Sequence, residues 1–362
     1  MLETHRRLYN ACLAQKKDVY ELEKKTVKYT EQSAWFKIER NTNEYFARIN
    51  FSSAQATMRR LDKAFQNFFR RVKAGDKPGY PRFKGRDFFD SVEFPSHGDG
   101  IRLTTNRLRV QHVGTIRVCL HRPVEGTIKT LSLKRKVGKW YLVVSCDLGN
   151  AVVKPSTNPA VGIDVGIKSF LVTSDGEHVP NPRFLKAELP ELRRRQRSLS
   201  RKKKLGSNRR KAIKKVQKLH AKVKNVRREF HFKTANELTR RFGMIATESL
   251  NIKSMIKNRR LAQSISDVAW ASFQGILRHK AEGAGVTVIG VNPKNTSQMC
   301  SSCGQIVEKS LSVRVHHCTC GLVLDRDHNA ARNILVRGVQ AWTEPVGPKL
   351  GIAPIVPRSR LL

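Results

Sequence analysis

Three acidic side chains and four cysteines carry the chemistry open to this sequence. Asp164 stands inside the apolar run Val161-Gly-Ile-Asp-Val165, and Glu248 closes Met244-Ile-Ala-Thr-Glu248. Asp327 falls just ahead of a segment that reads as a helix from Asn329 to Val336. A carboxylate among apolar neighbours is costly unless it is paired, hydrogen-bonded or metal-bound. Singly, each has an ordinary explanation: a turn former, a strand-end charge and a helix N-cap. Together they are three acids on three elements, able to hold two Mg²⁺ ions roughly 4 Å apart. Such a pair binds a phosphodiester, activates a water and stabilises the leaving 3′ oxygen. This chemistry needs no Ser, Cys or His nucleophile, and no convincing triad of that kind is legible.

The cysteines form two knuckles, Cys300-Ser-Ser-Cys303-Gly and Cys318-Thr-Cys320-Gly, with 14 residues between them. Four thiolates on two turns give a closed tetrahedral Zn²⁺ site of zinc-ribbon type, structural because no coordination position stays open. Gly304 and Gly321 suit the positive φ that lets backbone amides face the sulfurs. The second knuckle is one residue tighter than Cys-x-x-Cys, and His316 and His317 stand nearby as alternative ligands. Cys12, Cys119 and Cys146 lie among apolar neighbours and read as buried thiols.

The elements that must position these groups follow from periodicity. Residues 1–75 read as helical, with a strong apolar stripe from Ala54 through Met58, Leu61 and Phe65 to Phe69. Arg59, Arg60, Arg70 and Arg71 surround that stripe, as a solvated face or as a clamp on a polyanion. Residues 80–150 change to period two, which predicts a small antiparallel barrel or sandwich, with a hairpin over 133–142. After a linker at Pro155–Pro159, Val161 opens a second domain. A strand pair, a later strand ending in Glu248, another near Val286–Val291 and a last helix form the pattern by which an RNase H-like domain converges its acids.

The 362 residues include 70 Lys+Arg against 29 Asp+Glu, a formal charge of +41. Such a surplus repels itself unless a polyanion is present, so it points to nucleic acid without naming a reaction. No apolar run reaches the ~20 residues of a membrane span, and the N-terminus has no signal-peptide pattern. We therefore expect a soluble, cytoplasmic protein. The densest positive segment, Arg193–Arg228, holds 18 basic residues and no acid. Within it Ile213, Val216, Leu219, Val223, Val226 and Phe230 keep helical spacing, so it reads as an amphipathic helix with Asn208 as N-cap. Arg193, Arg194, Arg195, Arg201, Lys202, Arg209, Arg210 and Lys214 are the candidate backbone contacts.

Several segments resemble the TnpB family of transposon proteins, relatives of type V CRISPR effectors. They are Gly162-Ile-Asp-Val-Gly-Ile-Lys168, Glu248-Ser-Leu-Asn-Ile252, Thr296-Ser-Gln-Met-Cys-Ser-Ser-Cys-Gly304 and Asp325-Arg-Asp-His-Asn-Ala-Ala-Arg-Asn-Ile334. In the N-terminal half, Arg6–Asn10, Leu61–Phe69 and Lys77–Lys84 also match.

The resemblance implies a multidomain α+β protein. Residues 1–79 would be a helical recognition lobe and 80–154 a wedge β-barrel. Residues 160–295 would be a RuvC nuclease domain carrying basic helices at 190–240, followed by a zinc ribbon at 296–324 and a final RuvC segment at 325–338. Residues 339–362 read as a disordered tail. The resemblance further implies Asp164, Glu248 and Asp327 as catalytic Mg²⁺ ligands, with Asp327 preferred to Asp325, and Cys300, Cys303, Cys318 and Cys320 as Zn²⁺ ligands. It implies a guide RNA from the transposon end, a target DNA duplex marked by a short adjacent motif, and one monomer per RNA. An RNA-guided binder without cleavage, or a plain RNA scaffold, is the rival reading; a binder would be expected to have a broken acid set. Family members usually begin with a strand, whereas this chain begins directly in a helix, so the wedge barrel is expected to lack an edge strand.

Overall fold

The computed structural model describes residues 1–86, 88–149, 154–310, 312–343 and 359–361. Two compact units divide near residue 151. No helix among the described residues is long and apolar enough to cross a membrane.

The first unit begins with four helices: α1 (Leu2–Glu23), α2 (Tyr29–Thr42), α3 (Glu44–Ala47) and α4 (Phe51–Lys73). Asn50 caps α4 by accepting from the Ser53 amide. The expected stripe on α4 is buried at Ala54, Met58, Leu61 and Phe65, but Phe69 is 51% exposed.

Six strands follow: β1 (Ser91–Phe94), β2 (Ile101–Thr104), β3 (Arg107–Val110), β4 (Gly114–Arg117), β5 (Thr127–Lys136) and β6 (Lys139–Asp147). The run 101–110 is not one strand but a hairpin, because Thr105 turns at φ 45°. The β5–β6 hairpin forms as expected, with Val137 and Gly138 both at positive φ. The strands make two antiparallel sheets, β2-β3-β4 and one containing β1-β5-β6. Residues 1–79 and 80–154, read from sequence as two domains, share one hydrophobic core that runs from Leu8 and Met58 to Leu131 and Val144. Cys12 and Cys146 are buried in it, but Cys119 is exposed, so the thiol expectation fails there.

The second unit is built on a five-stranded sheet with the order β11-β10-β7-β8-β9. Its strands are β7 (Ala160–Val165), β8 (Ser169–Thr173), β9 (His178–Pro180), β10 (Met244–Glu248) and β11 (Thr287–Val291). β11, β10 and β7 run parallel; β8 pairs antiparallel with β7, and β9 antiparallel with β8. Between β9 and β10 lie α5 (Phe184–Ser200) and α6 (Ser207–Arg241). The cap of α6 is Gly206 without a side-chain bond, so Asn208 is not the N-cap. α7 (Ile252–Met255), α8 (Ala262–Val268) and α9 (Trp270–Ala284) precede β11.

One sheet face, at Val161, Ile163 and Val165, packs with Ala235, Leu238, Phe273 and Leu277. The other receives the last helix, α10 (Arg326–Thr343), which starts before Asn329 and runs past Val336. Thus Val339–Thr343, expected in the tail, are helical. Ser359–Leu361 forms strand β14 beside β6, and the rest of 344–362 lies outside the described residues. The cysteine segment contributes the short antiparallel pair β12 (Val315–His317) and β13 (Val323–Asp325).

Candidate active site and metal centre

Strand register brings the first two acids together. β7 and β10 pair in parallel through Thr247↔Ile163, and the next position on each strand is Glu248 and Asp164. Neighbouring strands lie about 4.8 Å apart, so these residues stand side by side. Alternation then decides the face. Asp164 shares a face with Gly162, where an added Cβ would lie 2.1 Å from the Ala331 carbonyl oxygen of α10. Glu248 shares a face with Ala246, whose Cβ would lie 2.3 Å from one added at Gly338. Two glycines therefore let α10 lie directly on β7 and β10. Asp327, in the first turn of that helix, joins the acids on the same side of the sheet.

Electrostatics report the convergence. Burial, then the carboxylates of Glu248 and Asp327, push Asp164 well above the ordinary aspartate range, with Asp325 adding to the effect and Arg326 opposing it. Burial also raises Glu248, against the Thr296 hydroxyl and the Arg337 charge. Among the described residues no group donates a hydrogen bond to the Asp164 carboxylate. A cluster of acids with so few donors fits a divalent cation, which supplies the missing positive charge. Asp325 plays a different part. Its Oδ1 accepts from the backbone amides of Asp327 at 2.9 Å and His328 at 3.2 Å. Asp325 is thus the N-cap, while among the described residues the Asp327 carboxylate pairs only with Arg314, at 3.9 Å. Another buried acid, Asp267, is satisfied by the amides of Leu185 and Lys186 at the start of α5.

The four cysteine sulfurs lie within 4.8 Å of one another. Cys300 and Cys320 are 3.7 Å apart, and Cys303 and Cys318 are 3.5 Å apart. A tetrahedron of sulfurs at zinc–thiolate bond length has edges of roughly 3.8 Å, so the donor set fits Zn²⁺. Gly304 and Gly321 have φ of 78° and 90°, as the knuckles require. The Cys320 amide bonded to its sulfur helps draw the Cys318 thiol down to about 6. His316 is buried with its Nδ1 facing Lys309, outside the four-sulfur set.

The candidate phosphate contacts divide by surroundings. Arg60 donates to the Ser91 carbonyl and hydroxyl and lies over the Phe89 ring, so it holds the first unit's core together. Arg59 is exposed and lies over Tyr29, and Arg70 and Arg71 are exposed at the end of α4. Arg194 and Arg195 pair with Glu191, Arg195 also donates to the Lys215 carbonyl, and Arg209 donates to the Leu199 carbonyl. Arg195 and Arg209 therefore tie α5 to α6. Arg193, Arg201, Lys202, Arg210 and Lys214 remain exposed or half-buried.

Sequence reasoning missed the polar residues that hold the site. Asn329, Asn333 and Arg337 repeat every four residues on α10, a spacing that could have marked one helical face. All three donate to the loop between β11 and the first knuckle.

Comparison with known proteins gives two family matches. Residues 143–259 match OrfB_IS605, described as "Probable transposase", and residues 270–334 match "Cas12f1-like, TNB domain". A "Putative RNA-guided DNA endonuclease" of Streptomyces pristinaespiralis is 32% identical over 345 residues, covering 93% of this chain and 84% of that protein. A TnpB-like protein of Acanthamoeba polyphaga mimivirus is 31% identical over 198 residues, half of this chain and 38% of its own length. Among solved structures, a Cas12f1–sgRNA–target DNA complex matches with a TM-score of 0.58 at 18% identity, over 92% of this chain and 80% of that one. This last likeness shows a shared multidomain α/β fold.

Proposed function

Since the chain belongs to the TnpB family, we propose that it is an RNA-guided endonuclease that hydrolyses both strands of a target DNA duplex with Asp164, Glu248 and Asp327 as Mg²⁺ ligands. The observation that carries this reading is the convergence of those acids on the α10 face of the sheet, with Asp164 pushed well up by burial and then by the acids beside it. When bound, two Mg²⁺ ions would neutralise the acids, activate water and offset charge on the phosphate. The chain's own part is to aim the carboxylates. β7 and β10 fix Asp164 and Glu248 by register, and the Asp325 cap fixes the first turn of α10 and so Asp327.

The unit of Val152–Ile352 is read as the RuvC domain, with the cysteines holding one structural Zn²⁺. In the first unit, α1–α4 are read as the recognition lobe and the antiparallel strands as the wedge. The guide RNA would come from the transposon end, with one chain on one RNA in the cytoplasm. Base pairing would read the target while exposed basic residues hold phosphates, which suits a charge of +41. The test is single-turnover cleavage by protein copurified with its RNA, followed by sequencing of that RNA and of the cut ends. Both strands should be cut beside a duplex complementary to the RNA, in Mg²⁺ and not in Ca²⁺. Equal cutting without RNA, or in Ca²⁺, would contradict the reading.

A further inference from the structure

The Thr296 hydroxyl lies 2.5 Å from Glu248 Oε1 in a buried setting; Thr296 is 4% exposed. The same hydroxyl is 3.1 Å from the Pro293 carbonyl. It has one proton to give, and the shorter approach to a carboxylate is the stronger bond. One Glu248 oxygen is thereby held, and the side chain is fixed in one orientation. Thr296 is not on the sheet; it sits in the loop that leads from β11 to Cys300.

That loop is clamped by one face of α10. Asn333 Nδ2 donates to the Thr296 carbonyl at 2.8 Å and to Met299 at 2.7 Å. Asn329 donates to Met299 at 2.7 Å and accepts from the Ser301 amide at 2.9 Å. Arg337 donates to the carbonyls of Asn292 and Lys294. Both asparagines are buried, at 0% and 2% exposure, and their side-chain amides satisfy backbone groups of this loop. At the cysteine end, Arg326 donates to Ser310, Val313 and Ser297. The helix that carries Asp327 therefore also grips the loop that orients Glu248, and that loop enters the cysteine cluster directly.

We infer that Thr296 is a positioning residue for Glu248, and that the Asn329–Asn333–Arg337 clamp couples the cysteine centre to the acid cluster. This rests on the metal-site reading proposed above. A ligand freed from its orienting hydrogen bond binds metal more weakly, commonly by 10- to 100-fold. The cysteine centre thus anchors the far end of the loop whose Thr296 aims Glu248.

The test is a Mn²⁺ titration of the full chain followed by electron paramagnetic resonance, counting only binding lost in Asp164→Ala. It is run beside the Mg²⁺ dependence of cleavage by the RNA-loaded protein. Thr296→Val keeps the shape and removes the hydroxyl; Thr296→Ser keeps the hydroxyl. The Val variant should weaken Mn²⁺ binding about tenfold and raise the Mg²⁺ midpoint by a similar factor, while the Ser variant stays within about twofold of wild type. If Thr296→Val melts below the assay temperature, Thr296→Ala makes the same comparison without added apolar bulk. A Val or Ala variant that matches wild type in both titrations overturns the inference, as does a Ser variant as impaired as Val. If Asp164→Ala itself loses no Mn²⁺ binding, the metal-site reading falls instead, and the two failures stay distinct.

Discussion

Asp164 and Glu248 occupy the register position immediately beyond Ile163↔Thr247 on two parallel strands, which sets two carboxylates side by side on the face covered by α10. Like charges at this separation, partly shielded from water, oppose folding unless a cation joins them. Asp164→Asn should therefore raise the melting temperature in EDTA, by a stabilisation on the order of 1 kcal/mol, while abolishing cleavage. Thermal unfolding with and without Mg²⁺ checks this. A lower melting temperature in EDTA would show that the acids do not repel.

Gly162 is the place where α10 touches β7. A methyl group there meets the Ala331 carbonyl oxygen and the Leu335 amide, both backbone atoms that cannot swing aside. Gly162→Ala should destabilise the second unit by about 3 kcal/mol or more and shift α10 off the sheet. Urea unfolding measures the first effect and the loss of cleavage the second. A variant with wild-type stability would refute this packing.

Zinc should copurify at one ion per chain. Its removal by a chelator should loosen the loop from Asn292 to Met299 and weaken divalent binding at the acids, because Thr296 belongs to that loop. Metal analysis and hydrogen exchange of the peptides around Thr296 and Cys318 report both parts. Unchanged exchange at Thr296 after zinc loss would separate the two centres.

Two buried histidines set an acid limit to stability. Burial holds His5 and His231 down at about 4, against an ordinary value of 6.5. A depressed histidine stabilises the fold fully above the unfolded value, and that contribution fades as pH falls from 6.5 towards 4, where only the unfolded chain gains the proton. Each histidine should cost on the order of 1 kcal/mol per pH unit across that window. Unfolding midpoints from mildly acidic to neutral pH should show the decline, and His231→Gln should flatten part of it.

The basic residues should separate in a salt titration of RNA binding. Replacing exposed Arg201, Lys202 and Arg210 together with Ala should reduce the slope of log affinity against log salt by roughly 2. Arg60→Ala should leave the slope alone and lower the melting temperature, because its guanidinium is committed to Ser91 and Phe89.

Much of this site was legible in the sequence, because an acid inside an apolar strand and two cysteine knuckles are local patterns. Four strands of the sheet were legible for the same reason, as short apolar runs with abrupt ends; the three-residue β9 (His178–Pro180) was too short to show a period. The clamp was not. Asn329 and Asn333 resemble ordinary polar residues of a surface helix, and only the approach of α10 to the loop turns them inward. The same holds for Arg60, whose partners Phe89 and Ser91 lie far along the chain, on the other side of the break after α4. The turn at Thr105 was hidden because a threonine at positive φ contradicts its own preference. Asp327 is preferred to Asp325 for its nearness to the helix start and for the motif; in the structure Asp325 caps that helix and Asp327 lies in its first turn.

The most direct test of the acid cluster is plasmid cleavage by the RNA-loaded protein carrying Asp164→Ala. We expect Mg²⁺-dependent cutting of both strands to be lost while guide-RNA binding stays at wild-type affinity. A variant that binds RNA and still cuts at the wild-type rate would show that Asp164, and with it the cluster on the α10 face, is not the centre of the chemistry.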